Sequence, residues 1–238
     1  MTGLSARTSS ASEPCLSLAR GEISIWLSEG PVSVDSGTFL RDLLSRYSGM
    51  DPSEMEFTRG EHGKPYLVNT SHSLQFSLSH SGDRLVLAVG GDVPVGVDLE
   101  AHNPKRQVMS LARRFFSRAE QDDLDALPDE ARLQHFYDLW TLKEARVKAL
   151  GGSLALELDA TGFRIDHAAP GEAAISQQPD SRDAFYGLLF EPPGYSLAIC
   201  ALVPPEDLPR IKLFTGSAPG EALSRPVHLR ARSSIKHR

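Results

Sequence analysis

At 238 residues, 40% of them hydrophobic and 24% charged, the chain has the make-up of an ordinary globular protein, long enough for one large domain or two small ones. A net charge of -6 at pH 7 argues against a nucleic-acid-binding protein, although local basic clusters could still hold phosphate. Two distant cysteines, Cys15 and Cys200, argue against a disulfide framework or a structural zinc site, and no apolar run reaches membrane-spanning length.

Residues 1 to 20 are rich in Ser, Ala and Thr and lack periodicity, which predicts a disordered leader. They contain no hydrophobic signal region, so the expected location is cytoplasmic. Gly21 to Leu27 alternates Ile23, Ile25 and Leu27 with polar neighbours and predicts a first strand. Residues 38–49 predict an amphipathic helix with Phe39, Leu40, Leu43, Leu44 and Tyr47 inward and Gly49 as its stop. A turn-rich stretch, Glu61 to Leu67, follows. Phe76 to Asp83 (F-S-L-S-H-S-G-D) leads into Arg84 to Glu100, which predicts a hairpin turning at Gly90-Gly91-Asp92. Residues 101–104 form a candidate linker.

The second half opens with a helix around Val108 to Phe116. Ser117 and Glu120 fit a capping box for the next one. A long helix begins near Pro128 and ends at Gly151-Gly152. Gly162 to Ile165, Phe185 to Phe190 and Tyr195 to Val203 predict strands. Hairpin patterns in the two halves suggest a weak internal duplication. The stretch after Thr215, with Arg225, Arg230, Arg232, Lys236 and Arg238, predicts a disordered basic tail.

Several side chains stand out chemically. On the long helix Leu133, Phe136, Trp140, Val147 and Leu150 mark an apolar stripe, and Glu144 sits on or beside it with Lys148 one turn on. An inward carboxylate needs a cationic partner: Lys148, an arginine or a metal. In V-G-V-D-L-E, alternation puts Val95, Val97 and Leu99 on one face and Asp98 with Glu100 on the other. Taken alone, such a pair is commonly a solvated strand end. With Glu144 beside it, three hard oxygen donors would suit Mg²⁺. Lys64 lies in a G-K-P turn, where a lysine is commonly just solvated. Ser79-His80-Ser81-Gly82 could cradle an anion, or His80 could be a structural histidine.

The order G-K-P, F-S-L-S-H-S-G, V-G-V-D-L-E, R-R-F-F-S-x-x-E and W-x-x-K-E-A-x-x-K-x-x-G resembles the 4'-phosphopantetheinyl transferases of the surfactin-synthetase-activating type. The resemblance covers roughly Gly21 to Val203 and is strongest from Gly63 to Gly151. It implies an α+β fold of two similar subdomains related by a pseudo-twofold axis, each with helices on a small, mostly antiparallel sheet. On this chain they would be an N-terminal subdomain over 21–103 and a C-terminal one over 104–215, followed by the tail at 216–238. It implies transfer of the phosphopantetheine arm of coenzyme A to a serine of an apo acyl or peptidyl carrier protein, with release of 3',5'-ADP. Asp98, Glu100 and Glu144 would be the Mg²⁺ ligands, with Glu144 and Lys148 catalytic. Lys64, Ser79, His80, Lys148 and Thr38 would contact coenzyme A. Glu120 would assist the metal or the base. A monomer suffices, with neither nucleic acid nor membrane as partner. The sequence does not say whether the carrier serves fatty-acid, polyketide or nonribosomal-peptide synthesis. It departs from the family between the first strand and the first long helix: about ten residues, Ser28 to Gly37, hold no Lys or Arg, and Arg41 or Arg46 could substitute at the nucleotide end. The competing expectations are a non-catalytic coenzyme A- or carrier-binding module and a nucleotide phosphotransferase; the lack of a Walker A loop weighs against the latter.

Overall fold

The structure is a computed structural model that describes residues 16–28, 35–70, 74–152, 161–166, 173–178, 184–190, 192–204, 207–216 and 223–233. Its architecture is α+β, with two sheet-bearing halves. The first sheet contains β1 (Glu22–Ser28), β4 (Phe76–Ser81), β5 (Arg84–Val89), β11 (Arg210–Gly216) and β12 (Leu223–Arg225), in the order β12-β11-β1-β5-β4. The second contains β6 (Val95–Ala101), β7 (Gly162–Asp166), β8 (Ala173–Gln178), β9 (Phe185–Leu189), β10 (Tyr195–Ala201) and β13 (Leu229–Ser233), in the order β6-β10-β9-β13-β8-β7. β1 runs parallel to β11 and β13 parallel to β8; the other neighbours within each sheet are antiparallel. A separate hairpin pairs β2 (Phe57–Arg59) with β3 (Pro65–Leu67).

The sheets pack face to face. Ile23, Ile25 and Leu27 of β1 meet Val95, Val97 and Leu99 of β6 and Leu197 and Ile199 of β10 in one buried cluster. Side chains on the other face of the first sheet, including Trp26, Phe76 and Leu87, pack against helix α1 (Ser36–Ser48). The outer face of the second sheet carries α2 (Val108–Phe115), α3 (Arg118–Asp125) and the 22-residue α4 (Asp129–Leu150). The result is helix, sheet, sheet, helix, with period-2 patterning filling the middle and helical patterning the outside.

Both ends of α1 follow local rules. Asp35 accepts from the Gly37 and Thr38 amides at the start, and Gly49 adopts φ 70° at the finish. The expected capping box is present at α3, where Ser117 and Glu120 bond reciprocally. The stripe expected on α4 is instead burial on nearly every side: Tyr137, Asp138, Lys143 and Arg146 are as hidden as Phe136 and Leu139. A helix caught between a sheet and two other helices has little solvent face.

Three expectations require correction. The hairpin at Gly90-Gly91-Asp92 does not pair β5 with β6. Both edges of β5 are taken, by β1 and β4, so β6 crosses to the second sheet and pairs with β10. For the same reason a boundary at residue 103 does not separate the sheets, since β6 lies in one and β11 and β12 in the other. The described residues after Thr215 are not a disordered tail: they form β12 and β13, and Arg230 of β13 forms an ion pair with buried Asp138 of α4, while residues 217–222 and 234–238, with Lys236 and Arg238, lie outside the described residues. Residues 1–15 of the expected leader lie outside the described residues, but Leu16 and Leu18 pack against the α1 core and the Leu16 amide donates to the Arg46 carbonyl at 2.6 Å. Among the described residues no helix is long and apolar enough to cross a membrane.

Candidate active site

The site grows out of β6. Because Val95, Val97 and Leu99 enter the core between the sheets, Gly96, Asp98 and Glu100 project the other way, toward α4. A Cβ at Gly96 would overlap the Ala145 carbonyl oxygen and the Ala149 nitrogen, so only glycine lets the helix backbone rest directly on the strand. That close approach brings Glu144 and Lys148 of α4 to the acids of β6.

On the far side β4 holds the same acids. Its serines at every second position, Ser77, Ser79 and Ser81, accept hydrogen bonds from the amides of Val97, Leu99 and Ala101 at 3.1, 3.4 and 3.0 Å. Side-chain hydroxyls thus satisfy the outer edge of β6, where a neighbouring strand would otherwise do so. The hydroxyls of Ser79 and Ser81 also donate to Asp98 Oδ1 at 2.8 Å and to Glu100 Oε2 at 3.2 Å. One serine row therefore joins the sheets and orients both carboxylates.

The electrostatics of this cluster are unbalanced. Lys148 Nζ donates to Asp98 Oδ1 at 2.7 Å, while Asp98 Oδ2 is buried without a hydrogen-bond partner. Arg106 approaches Glu100 Oε2 only to 3.8 Å. Burial first, then the charges of Asp98 and Glu100, push Glu144 up to about 7, against the pull of Lys148. Burial and Asp98 likewise raise Glu100. Among the described residues no three His, Cys, Asp or Glu side chains stand at metal-binding spacing. The donor set is nonetheless one that a hard divalent cation would complete: three carboxylates, one orphaned buried oxygen and too little positive charge.

Beside the acids opens a cleft of about 680 Å³ between the start of α1, the β2–β3 hairpin and the end of α4. Arg41, Arg59, His62, Lys64 and Lys148 line it, with no Asp or Glu among the described lining residues. Leu40, Phe57 and Phe76 give it an apolar wall. Such a lining suits a phosphorylated ligand that also carries an apolar or aromatic part.

The structure brings together Asp98, Glu100, Glu144, Lys148, Ser79 and, along the cleft, Lys64. Lys64 Nζ donates to the Lys148, Ala149 and Val95 carbonyl oxygens at 2.6, 3.2 and 3.4 Å, and burial lowers its pKa to about 8. His80 is exposed near the end of β4, on the face opposite the serines. The Thr38 hydroxyl donates to Asp35 Oδ2 at 2.7 Å, on the exposed start of α1. Arg41 lines the cleft, with Nη1 donating to the Pro52 and Met55 carbonyls at 2.8 and 2.9 Å; Arg46 instead lies over the Trp26 ring.

Glu120, expected to assist the metal or the base, is engaged in a buried ion pair between α3 and α4. It is 1% exposed, forms an ion pair with Lys143 at 3.1 Å and accepts from the Ser117 and Phe163 amides at 2.7 and 2.8 Å. Sequence reasoning missed Arg59, His62 and Arg106. The first two stand within five residues of Lys64 in the run R-G-E-H-G-K, so a search for cations around the G-K-P turn would have found them.

Two family models match the chain: the 4'-phosphopantetheinyl transferase superfamily over residues 94–200, and the 4'-phosphopantetheinyl transferase N-terminal region over residues 32–91. The chain is 36% identical over 172 residues to the 4'-phosphopantetheinyl transferase Sfp of Bacillus subtilis, covering 71% of this chain and 74% of that one. It is 35% identical over 153 residues to the 4'-phosphopantetheinyl transferase AcpT of Salmonella typhi, covering 63% and 75%. With HetI of Nostoc, also a 4'-phosphopantetheinyl transferase, identity is 39% over 118 residues, covering 49% and 50%. Both segments that build the site, the β6–α4 acids and the α1–hairpin wall, fall inside the matched regions, and the chain belongs to the 4'-phosphopantetheinyl transferase superfamily, in the type represented by Sfp.

Proposed function

We propose that this enzyme moves the 4'-phosphopantetheine arm of coenzyme A onto a serine of an apo acyl or peptidyl carrier protein, releasing 3',5'-ADP, and that it works as a Mg²⁺-dependent monomer in the cytoplasm. The observation that carries this reading is the double position of Lys148, which lines the cation-rich cleft and is also bonded to Asp98. Phosphate site and acid cluster are therefore one continuous site.

In this reading Arg59, His62 and Lys148 hold the phosphates of coenzyme A, and the apolar wall takes the nucleoside. Asp98, Glu100 and Glu144 would hold the metal, which when bound neutralises charge on the pyrophosphate oxygens. The carrier's serine oxygen bonds to the β-phosphorus, the bond from that phosphorus to the bridging oxygen breaks, and 3',5'-ADP leaves with that oxygen. Glu144 takes the serine proton, directly or through one water. Lys148 stabilises charge that grows on the leaving oxygen.

The test is to incubate the protein with coenzyme A, Mg²⁺ and a panel of apo carriers. The expected result is a carrier heavier by one phosphopantetheine unit. A panel of fatty-acid, polyketide and nonribosomal-peptide carriers that all stay unmodified contradicts the reading.

A further inference from the structure

Lys64 follows Gly63, whose φ of 86° makes the tight turn of the β2–β3 hairpin. An ammonium has three N–H donors, and the carbonyls of Lys148, Ala149 and Val95 offer three acceptors within hydrogen-bonding distance. Two of these acceptors belong to the last turn of α4, where the helix dipole is negative; the Lys148 carbonyl also accepts from the Gly151 amide at 3.3 Å. Packing reinforces the contact. A Cβ on Gly151, the C-cap of α4, would come within 2.8 Å of the Tyr66 hydroxyl and 3.4 Å of Lys64 Cδ, so the hairpin lies flush on the helix end.

We propose that Lys64 is a positioning residue that clamps the hairpin, the end of α4 and the start of β6 together, and so sets the direction from which Lys148 reaches Asp98 and the phosphates. The carbonyl it holds most closely is that of Lys148 itself. Releasing it would let the base of the Lys148 side chain shift, and a misplacement of about 1 Å can cost about 10²-fold in rate. The role of Lys148 rests on the transfer reading above; the clamp does not. A phosphate ligand at Lys64 and a clamp at Lys64 give different signatures: the first loses affinity for coenzyme A, the second loses turnover.

The test is Lys64→Met, which keeps the stem and removes the donors, read in two ways. Hydrogen exchange on the protein alone follows the Gly151 and Gly152 amides, which bond to the Lys148 and Val147 carbonyls. They should exchange at least about tenfold faster, while the β1–β11 ladder is unchanged. Steady-state kinetics should show kcat down by about 10- to 100-fold and KM for coenzyme A within about threefold. A rise in that KM of about tenfold or more, an unchanged kcat, or unchanged exchange overturns the proposal. If Lys64→Met does not fold, Lys64→Gln is read by the same criteria. If the wild-type protein transfers nothing to any carrier, the transfer reading fails, and the exchange measurement alone decides the clamp.

Discussion

Lys148 Nζ lies 2.7 Å from Asp98 Oδ1, and the Ser79 hydroxyl donates to that same oxygen at 2.8 Å, leaving Oδ2 of a 4%-exposed aspartate with no partner. A single ammonium therefore compensates only one side of a buried charge. Lys148→Met should strand Asp98. Removing one partner of a fully buried pair costs about 3–5 kcal/mol, and the partial exposure of Lys148 brings the expectation to about 1–3 kcal/mol. Urea unfolding of the metal-free protein measures this, and an unchanged midpoint would mean that the pair contributes nothing to the fold.

Glu144 should act on stability in the opposite direction. Burial and its two acidic neighbours raise it from an ordinary 4.5 to about 7, so between those values the folded protein holds a proton that the unfolded chain has released. Metal-free stability should therefore fall as pH rises through that window, with the full penalty above 7. Glu144→Gln should stabilise the metal-free protein at pH 8 by on the order of 1–3 kcal/mol and much less at pH 4.5. The same variant should lose transfer by about 10²–10⁴. Thermal melts at the two pH values, alongside the activity assay, check both halves.

Gly96 should tolerate no side chain. Gly96→Ala puts a methyl into the backbone of α4 at Ala145 and Ala149, and overpacking of this kind costs about 1–3 kcal/mol or more. Any helix shift also carries Glu144 and Lys148 away from Asp98. Folded Gly96→Ala should consequently lose most of its turnover; wild-type turnover in it would mean that the acids need not be held this closely.

Arg59 and His62 should act on binding alone. Neither touches the acid cluster in the described contacts, and both line the cleft. Arg59→Ala and His62→Ala should each raise KM for coenzyme A by about 3- to 10-fold at nearly constant kcat. Full steady-state kinetics separate the two parameters.

Much of this was legible before any coordinates. The alternation of β6 placed Asp98 and Glu100 on one face, the capping box at Ser117 started α3, and glycines ended α1 and α4. What escaped had a physical reason. In β13 the pattern L-R-A-R-S reads as a basic tail, because its two arginines hide the alternation of Leu229 and Ala231; the partner of Arg230, Asp138, lies 92 residues away. Glu120 looked chemical because it is acidic and follows F-F-S, yet its partner Lys143 is on a different helix. Pairing of β5 with β6 was the local solution, and occupation of both edges of β5 is a fact of the whole sheet. The cations of the cleft come from three separate elements that only the fold gathers.

The central claim is that the acids of β6 and α4 and the cations of the cleft form one transfer site. The measurement that tests it most directly is the intact mass of an apo carrier after incubation with coenzyme A, using wild-type protein with Mg²⁺, wild-type protein with the metal chelated, and Asp98→Asn with Mg²⁺. The account predicts one added phosphopantetheine unit in the first case and little or none in the other two. Equal modification in all three, or no modification of any carrier by wild-type protein, would contradict it.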